Sequence, residues 1–228
     1  MSLEESVPII DIAPLLLDAD PYANAKNNDN QPKNDCIEQI KAAARDWGFF
    51  YISNHGISRE LIATFRKDMD TFFHLSGTIL DKIRRNEQNS RGYFDDELTK
   101  NKLDWKRCFD FGAQNGHLDE EGMDGMNQWP SKEEHEHDTF EFTMKEYFYK
   151  MEHLSETLLS ALCQSLGMKP DSLKEDFEGN HTSYLRLNYY PKCPTPEENL
   201  AVHHHTDAGA LTILYQDPNV TSLPRIQM

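Results

Sequence analysis

The chain has 228 residues, of which 38% are hydrophobic and 11% are aromatic, so it can bury a core and is too aromatic for a disordered chain. Its formal net charge of -16 argues against a surface for nucleic acids or anionic membranes, because both need clustered Lys and Arg. No apolar run approaches the ~20 residues of a membrane span, the first residues are acidic, unlike a signal peptide, and four widely spaced cysteines favour reduced thiols. We therefore expect a cytoplasmic protein.

The first third of the chain alternates short strand signals with helix signals. The β-branched segment 7–12 predicts a brief strand, and the polar stretch 20–35 predicts a surface loop. A helix is expected over 36–47, ending at Gly48, followed by an apolar strand over 48–53. Ser58 is a suitable N-cap for a second helix. The buried face of that helix should carry Leu61, Ile62, Phe65, Met69, Phe72 and Phe73.

The middle of the chain changes from polar segments to one long helical pattern. Residues 81–127 are polar and contain glycine, which favours strands and loops. Ser131 and Glu134 then form a capping box, which predicts the start of a long amphipathic helix that ends at Gly167. A short helix is expected over 171–177. The apolar stripe of the long helix consists of Phe140, Met144, Tyr147, Met151, Leu154, Leu158 and Leu162.

After Gly179 the hydrophobic period changes from helical to alternating. Residues 182–190 predict a strand that stops at Pro191, and two more strands are expected at about 201–205 and 210–215. Helices followed by strands indicate an α+β protein or a barrel buttressed by helices.

A short run of metal-binding side chains lies among these last strands. Residues two apart in a strand face the same side, so His205 and Asp207 would point a nitrogen and an oxygen ligand at one place, and His203 would share that face. Such a pair makes up two of the three ligands of the facial triad that holds non-haem Fe(II). The tripeptide alone is a weak indication, because consecutive histidines also suit Zn or Ni and a solvated strand end is the commoner explanation.

Further motifs occur in order along the chain. They are W-G-F-F-Y-I-S-N-H-G-I at 47–57, R-G-Y-F at 91–94, W-K at 105–106 with F-D-F-G at 109–112, N-Q-W-P at 127–130 and R-L-N-Y-Y-P at 186–191. Together with H-T-D-A-G-A-L-T at 205–212, they resemble the isopenicillin-N-synthase-like family of Fe(II)/2-oxoglutarate-dependent dioxygenases. The resemblance extends over nearly all of the chain.

The resemblance implies an α+β fold with a double-stranded β-helix core (jelly-roll, cupin-like) and a helical N-terminal region. It divides the chain into an N-terminal dioxygenase region at 7–130, a connecting helical region at 131–178 and the start of the β-helix domain at 179–228. The family pattern continues beyond this last region, so we expect a core that is incomplete at its C-terminal end.

The resemblance also assigns site residues and co-substrates. It implies His205 and Asp207 as Fe(2+) ligands, and Asn188 and Tyr190 as lining for 2-oxoglutarate, with ascorbate as an additional candidate cofactor. His55 is expected to be structural. The implied reaction consumes O2, forms succinate and CO2, and hydroxylates or oxidises a small organic molecule.

The sequence departs from the family pattern after the first two ligands. No histidine follows His205, and Arg225 has no serine two residues later, so the second histidine ligand and the R-x-S pair of the family are not in this sequence. We therefore expect the polypeptide alone to bind iron weakly. Four explanations stay open: an incompletely described working enzyme, an inactive short form or metal-binding remnant, a site rebuilt with His203 or a partner subunit, and a cupin-like metal protein without 2-oxoglutarate chemistry.

Overall fold

The computed structural model describes residues 6–16, 30–99, 102–112, 124–131, 139–177, 182–195, 207 and 209–217. The chain divides into two compact units, the first from Met1–Ser58 with Lys150–His181 and the second from Arg59–Tyr149 with Thr182–Met228. None of the helices in the described ranges is both long enough and apolar enough to cross a membrane.

The first unit contains two short parallel strands, two helices in its N-terminal segment, and residues 150–165 of a long helix. Strand β1 (Ile9–Asp11) pairs with β2 (Tyr51–Ser53), and helices α1 (Ala13–Leu16) and α2 (Gln31–Asp46) lie between them in sequence. Buried apolar side chains from residues 9–16 and α2 contribute to the core of this unit. They are Ile10, Ile12, Leu15, Cys36, Ile37, Ile40 and Ala43.

Two polar contacts hold the end of β1 and the turn after β2. The Asn54 amide donates to Asp11 Oδ2 at 2.8 Å, and Asn54 itself has a left-handed φ of 55°. At the same turn, His55 Nδ1 accepts a hydrogen bond from the backbone N–H of Ile57 at 3.2 Å. The His55 ring is therefore engaged locally within the first unit.

Helix α2 corrects one expectation and confirms another. It begins at Gln31, five residues before the expected start and inside the stretch expected to be a loop. The early start is compatible with Pro32, because the first N–H groups of a helix have no intrahelical partner and proline loses nothing there. The predicted stop at Gly48 is confirmed by its φ of +75°.

The second unit combines a three-stranded sheet with helices. Its helices are α3 (Arg59–Phe73), α4 (Gly77–Lys82) and the beginning of α5 (Phe140–Ser165). The sheet is antiparallel, in the order β3 (Gly92–Phe94), β6 (Arg107–Phe111), β7 (Leu185–Tyr189), and a hairpin of β4 (Leu98–Thr99) and β5 (Lys102–Leu103) precedes β6.

One face of this sheet is an aromatic core. Phe72 of α3 stacks on Phe140 of α5 at 4.8 Å between ring centroids, and it lies 4.7 Å from Phe109 of β6. Phe111 continues the cluster with Trp129, whose ring centroid lies 5.1 Å away. Since β6 side chains alternate, Phe109 and Phe111 leave the opposite face of β6 to Cys108 and Asp110.

Three further predictions, one boundary and two elements, are wrong. The long helix α5 begins at Phe140, after a turn at Thr139, and not at Ser131, which lies outside any helix. The helix expected at 171–177 is reduced to a 3-10 turn at Glu175–Phe177. The strand expected at 210–215 does not form, because no described segment gives residues 210–215 a hydrogen-bonded strand neighbour. The strand expected at 201–205 lies outside the described residues.

Candidate active site

The face of β6 and β7 opposite the aromatic core is polar. The register places Cys108 opposite Asn188 and Asp110 opposite Arg186. Side chains two residues along a strand share a face, so the next positions on either side belong to the same surface. We call this surface the polar face, and its members are Lys106, Cys108, Asp110, Tyr184, Arg186, Asn188 and Tyr190.

Arg186 is held on the polar face by two carboxylates. Its Nε and one terminal nitrogen donate to the two oxygens of Asp110 at 2.8 Å each, and the other terminal nitrogen donates to Glu97 Oε1 at 2.8 Å. Burial alone would lower the pKa of Arg186, but these carboxylates outweigh it and raise that pKa. The guanidinium is therefore permanently charged, and Nε and both terminal nitrogens each donate to a carboxylate of Asp110 or Glu97.

Glu97 also pairs with Lys106 and links it to the same cluster. Lys106 Nζ lies 2.5 Å from Glu97 Oε2 and 3.2 Å from Asp104 Oδ2, and the Asp104 backbone N–H donates to the Glu97 carbonyl at 3.0 Å. Burial opposes ionisation of Glu97, yet Lys106 and Arg186 together lower the pKa of its carboxyl. We call Glu97, Asp104, Lys106, Asp110 and Arg186 the charge cluster.

Cys108 and Asn188 meet at the centre of the polar face. Cys108 is fully buried, and its Sγ lies 3.3 Å from Asn188 Oδ1. Burial raises the pKa of the Cys108 thiol to about 12, even though Lys106 and Arg186 pull it down. The thiol is therefore protonated at neutral pH and donates to the Asn188 carbonyl oxygen.

Tyr190 lies just beyond the end of β7, next to Lys106 on the polar face. Burial raises the pKa of its phenol, and Lys106 partly opposes that rise. The chain that follows is fixed because the Trp105 indole N–H donates to the carbonyl of Pro191 at 3.1 Å. Tyr190 is thus a protonated hydroxyl at neutral pH on a chain end held by a hydrogen bond.

The predicted metal ligands fall only partly within the described residues. Asp207 is described and exposed, and it is close enough to Tyr184 to affect it: burial raises the pKa of Tyr184, Arg186 opposes this, and carboxylates including Asp207 add to the rise. His205 and His203 lie outside the described residues. Among the residues that are described, no three His, Cys, Asp or Glu side chains are grouped as a metal site.

The structure thus brings Asn188 and Tyr190 onto one face and places Asp207 near the Tyr184 end of that face. The charge cluster was not predicted from the sequence. Part of its indication was present in residues 108–111, in which Cys108 and Asp110 alternate with Phe109 and Phe111. The matching alternation around Arg186 and Asn188 would have suggested the partner strand.

Two family models match the chain. The model described as the N-terminal region of the non-haem dioxygenase in morphine synthesis matches residues 7–132, and the model of the 2OG-Fe(II) oxygenase superfamily matches residues 181–227. The second match includes β7, the Asn188 and Tyr190 positions and Asp207.

Curated relatives resemble the chain over most of its length. Jasmonate-induced oxygenase 2 of Arabidopsis thaliana is 34% identical over 191 residues, which is 82% of this chain and 49% of that protein. The 1-aminocyclopropane-1-carboxylate oxidase 1 of Cucumis melo is 30% identical over 89% of this chain and 60% of that protein. The chain spans about half the length of the curated relatives it matches.

Solved structures give the same result for the fold. The crystal structure of JOX2 in complex with 2OG, Fe and JA has a TM-score of 0.68 and 30% identity, covering 89% of this chain and 53% of that one. A full-length Neurospora crassa protein in complex with alpha-KG and thymine also has a TM-score of 0.68, at 20% identity, covering 92% of this chain and 65% of that one, and it supports the fold alone.

Proposed function

The chain belongs to the 2OG-Fe(II) oxygenase superfamily, and from this membership we propose that it is an Fe(II)- and 2-oxoglutarate-dependent oxidoreductase that hydroxylates or oxidises a small organic molecule. The observation that carries the proposal is the polar face, where Asn188 and Tyr190 lie together and Asp207 is close to Tyr184. We also propose that β7 is the first strand that residues 179–228 contribute to the double-stranded β-helix, where it pairs with β6 of the preceding region.

His205 and Asp207 are the residues proposed to hold the metal. An imidazole nitrogen and a carboxylate oxygen form two positions of a facial triad, a donor set that suits Fe(II) and leaves positions open. When bound, the metal would bind the co-substrate and activate O2 for oxidation of the substrate.

Asn188 and Tyr190 are proposed to bind 2-oxoglutarate. The Tyr190 hydroxyl stays protonated at neutral pH because burial raises its pKa, so it can donate a hydrogen bond to a carboxylate. The Asn188 carboxamide has two N–H donors in addition to the oxygen that Cys108 engages. Both side chains therefore offer donors to a dianionic ligand, and neither adds a negative charge.

The charge cluster would shape the wall beside these donors. Arg186 and Lys106 are both paired with carboxylates of the cluster, so their charges are compensated at short range. A ligand on this face would therefore contact the donors of Asn188 and Tyr190 and not an uncompensated cation. A small organic substrate fits this proposal, since the JOX2 structure is a complex with 2OG, Fe and the small molecule JA.

Calorimetric titration with 2-oxoglutarate tests the proposal directly. We expect anaerobic Fe(II) to increase 2-oxoglutarate affinity, and Asp207→Ala to remove that increase. Asp171→Ala is the matched control, because it removes an exposed carboxylate from the first unit. Affinity for 2-oxoglutarate that does not depend on the metal, or that survives Asp207→Ala, would contradict the proposed function. Succinate release that requires both Fe(II) and 2-oxoglutarate would support it further.

A further inference from the structure

We propose that Cys108 is a positioning residue that fixes the Asn188 carboxamide with its NH2 group toward bound 2-oxoglutarate, and that the charge cluster preserves the thiol as the donor this requires. The inference rests on the proposed function for the identity of the ligand. Its structural half concerns only the orientation of one amide and can be tested without any ligand.

The geometry of the pair determines which end of the amide is free to meet a ligand. Cys108 Sγ lies 3.3 Å from Asn188 Oδ1, and the two residues are directly opposite each other in the β6–β7 register. A thiol has a single hydrogen, and a carboxamide has one acceptor atom and one atom with two donors. Once the oxygen is engaged by the thiol, the donor end points away from Cys108. The reversed amide would present its oxygen to an anionic ligand, which is unfavourable.

The thiol can perform this role only while it is protonated. A thiolate facing Asn188 Oδ1 would put two acceptors together, and the amide would turn around to bring its NH2 group to the sulfur. Two cations, Lys106 and Arg186, lie near the thiol and favour the thiolate, as their effect on the Cys108 pKa shows. Burial prevails and raises that pKa to about 12.

The carboxylates of the charge cluster contribute to this outcome. Glu97 bridges the two cations with contacts of 2.5 Å to Lys106 and 2.8 Å to Arg186, and Asp110 occupies two donors of Arg186. Both Glu97 and Asp110 raise the pKa of Cys108. The cluster therefore compensates the charges that would otherwise ionise the thiol.

The structural half is tested by NMR of protein labelled with 15N-asparagine. The Asn188 side-chain NH2 signals are assigned by their loss in Asn188→Asp. Cys108→Ser keeps a donor, whereas Cys108→Ala and the bulkier Cys108→Val remove it. Cys163→Ala is the matched control, because Cys163 is also a buried free thiol but lies in the first unit.

We expect Cys108→Ala and Cys108→Val to shift the Asn188 NH2 signals and to increase their hydrogen-exchange rate by about twofold, the low end for one net hydrogen bond because a thiol is a weak donor. Cys108→Ser should keep the wild-type signals, and Cys163→Ala should not affect them. Glu97→Gln should lower the pH at which the Cys108 thiol ionises. Asn188 signals that are the same in Cys108→Val, Cys108→Ser and wild type would overturn the inference, whatever the protein binds.

The ligand half uses the 2-oxoglutarate titration with Fe(II). Affinity should fall by about twofold in Cys108→Val and stay close to wild type in Cys108→Ser, because only the serine variant keeps a donor and the thiol is a weak one. If wild type binds no 2-oxoglutarate, the proposed function fails while the NMR result still decides the orientation of Asn188. If wild type binds and Cys108→Val binds equally well, the proposed function stands and the positioning role is refuted.

Discussion

Breaking the Asp110–Arg186 pair should show how much the charge cluster contributes to stability. Asp110→Asn keeps the shape of the side chain but removes the charge that holds two donors of Arg186. The side chain of Asp110 is 8% exposed and that of Arg186 is 27% exposed. Loss of one partner of a fully buried pair costs about 3–5 kcal/mol, and the partial exposure of Arg186 reduces our expectation to about 2–3 kcal/mol.

A double-mutant cycle separates the pair from its surroundings. Arg186→Met removes a partner from both Asp110 and Glu97, so it should cost about 3–4 kcal/mol. The double variant should be less destabilised than the sum of the two single variants, with a coupling energy of about 2 kcal/mol. Urea unfolding gives these free energies, and Asp110→Asn should also lower Tm by roughly 4–12 °C in a chain of this length.

A surface ion pair provides the control for this cycle. Glu141 and Lys145 of α5 form a 2.6 Å pair with side chains 40% and 34% exposed. Glu141→Gln should change the free energy of unfolding by less than about 0.5 kcal/mol, because solvent screens such pairs. Additive effects of Asp110→Asn and Arg186→Met, or an Asp110→Asn cost no larger than that of Glu141→Gln, would refute the reasoning that burial makes this pair strong.

Three further outcomes follow from other contacts. Gly92→Ala should lower the free energy of unfolding in urea by about 2–4 kcal/mol, because Gly92 has a φ of +121° and an added Cβ would clash with the backbone oxygen of Ile83; a stability equal to wild type would contradict this. In native protein at pH 8, iodoacetamide should modify the half-buried Cys193 before the fully buried Cys108. The pKa of about 12 leaves roughly one Cys108 thiol in ten thousand ionised at that pH. Mass spectrometry of peptides gives the order of modification, and earlier modification of Cys108 would contradict this expectation. Arg66→Met should speed limited proteolysis near Asp217, because it removes the 2.6 and 2.9 Å contacts that hold this carboxylate to α3. An unchanged cleavage rate would show that these contacts do not anchor the segment.

The helices and strands were predictable where the hydrophobic spacing within one element identifies its type. The buried face of α3 follows largely from its helical spacing: Leu61, Phe65, Phe72 and Phe73 are buried as predicted. Ile62 and Met69, predicted for the same face, are only half-buried. The strand at β7 was predicted from its alternation. The start of α2 was missed, because residues 31–35 are polar and their helical state depends on the turn that Pro32 permits.

The candidate site was predictable only in part, because its chemistry comes from residues far apart in sequence. Asn188 and Tyr190 were identified through the motif that they share with the family. The pairing of Asp110 with Arg186 joins positions 76 residues apart, and no local period reports such a contact. Glu97 joins the cluster through side-chain contacts to Lys106 and Arg186, which the sequence alone does not reveal.

Consecutive side chains of strand β6 point to opposite faces of the sheet, and each face has its own set of contacts. This restricts insertions and deletions within the strand. Inserting or deleting one residue in β6 would move the side chains on one side of the change to the opposite face of the sheet. Phe109 would then face the carboxylates, and Asp110 would enter the aromatic core. A single substitution in this strand damages one surface, but a shift by one residue damages both at once. Related chains should therefore tolerate length variation in the connections on either side of β6 while its five-residue length stays fixed.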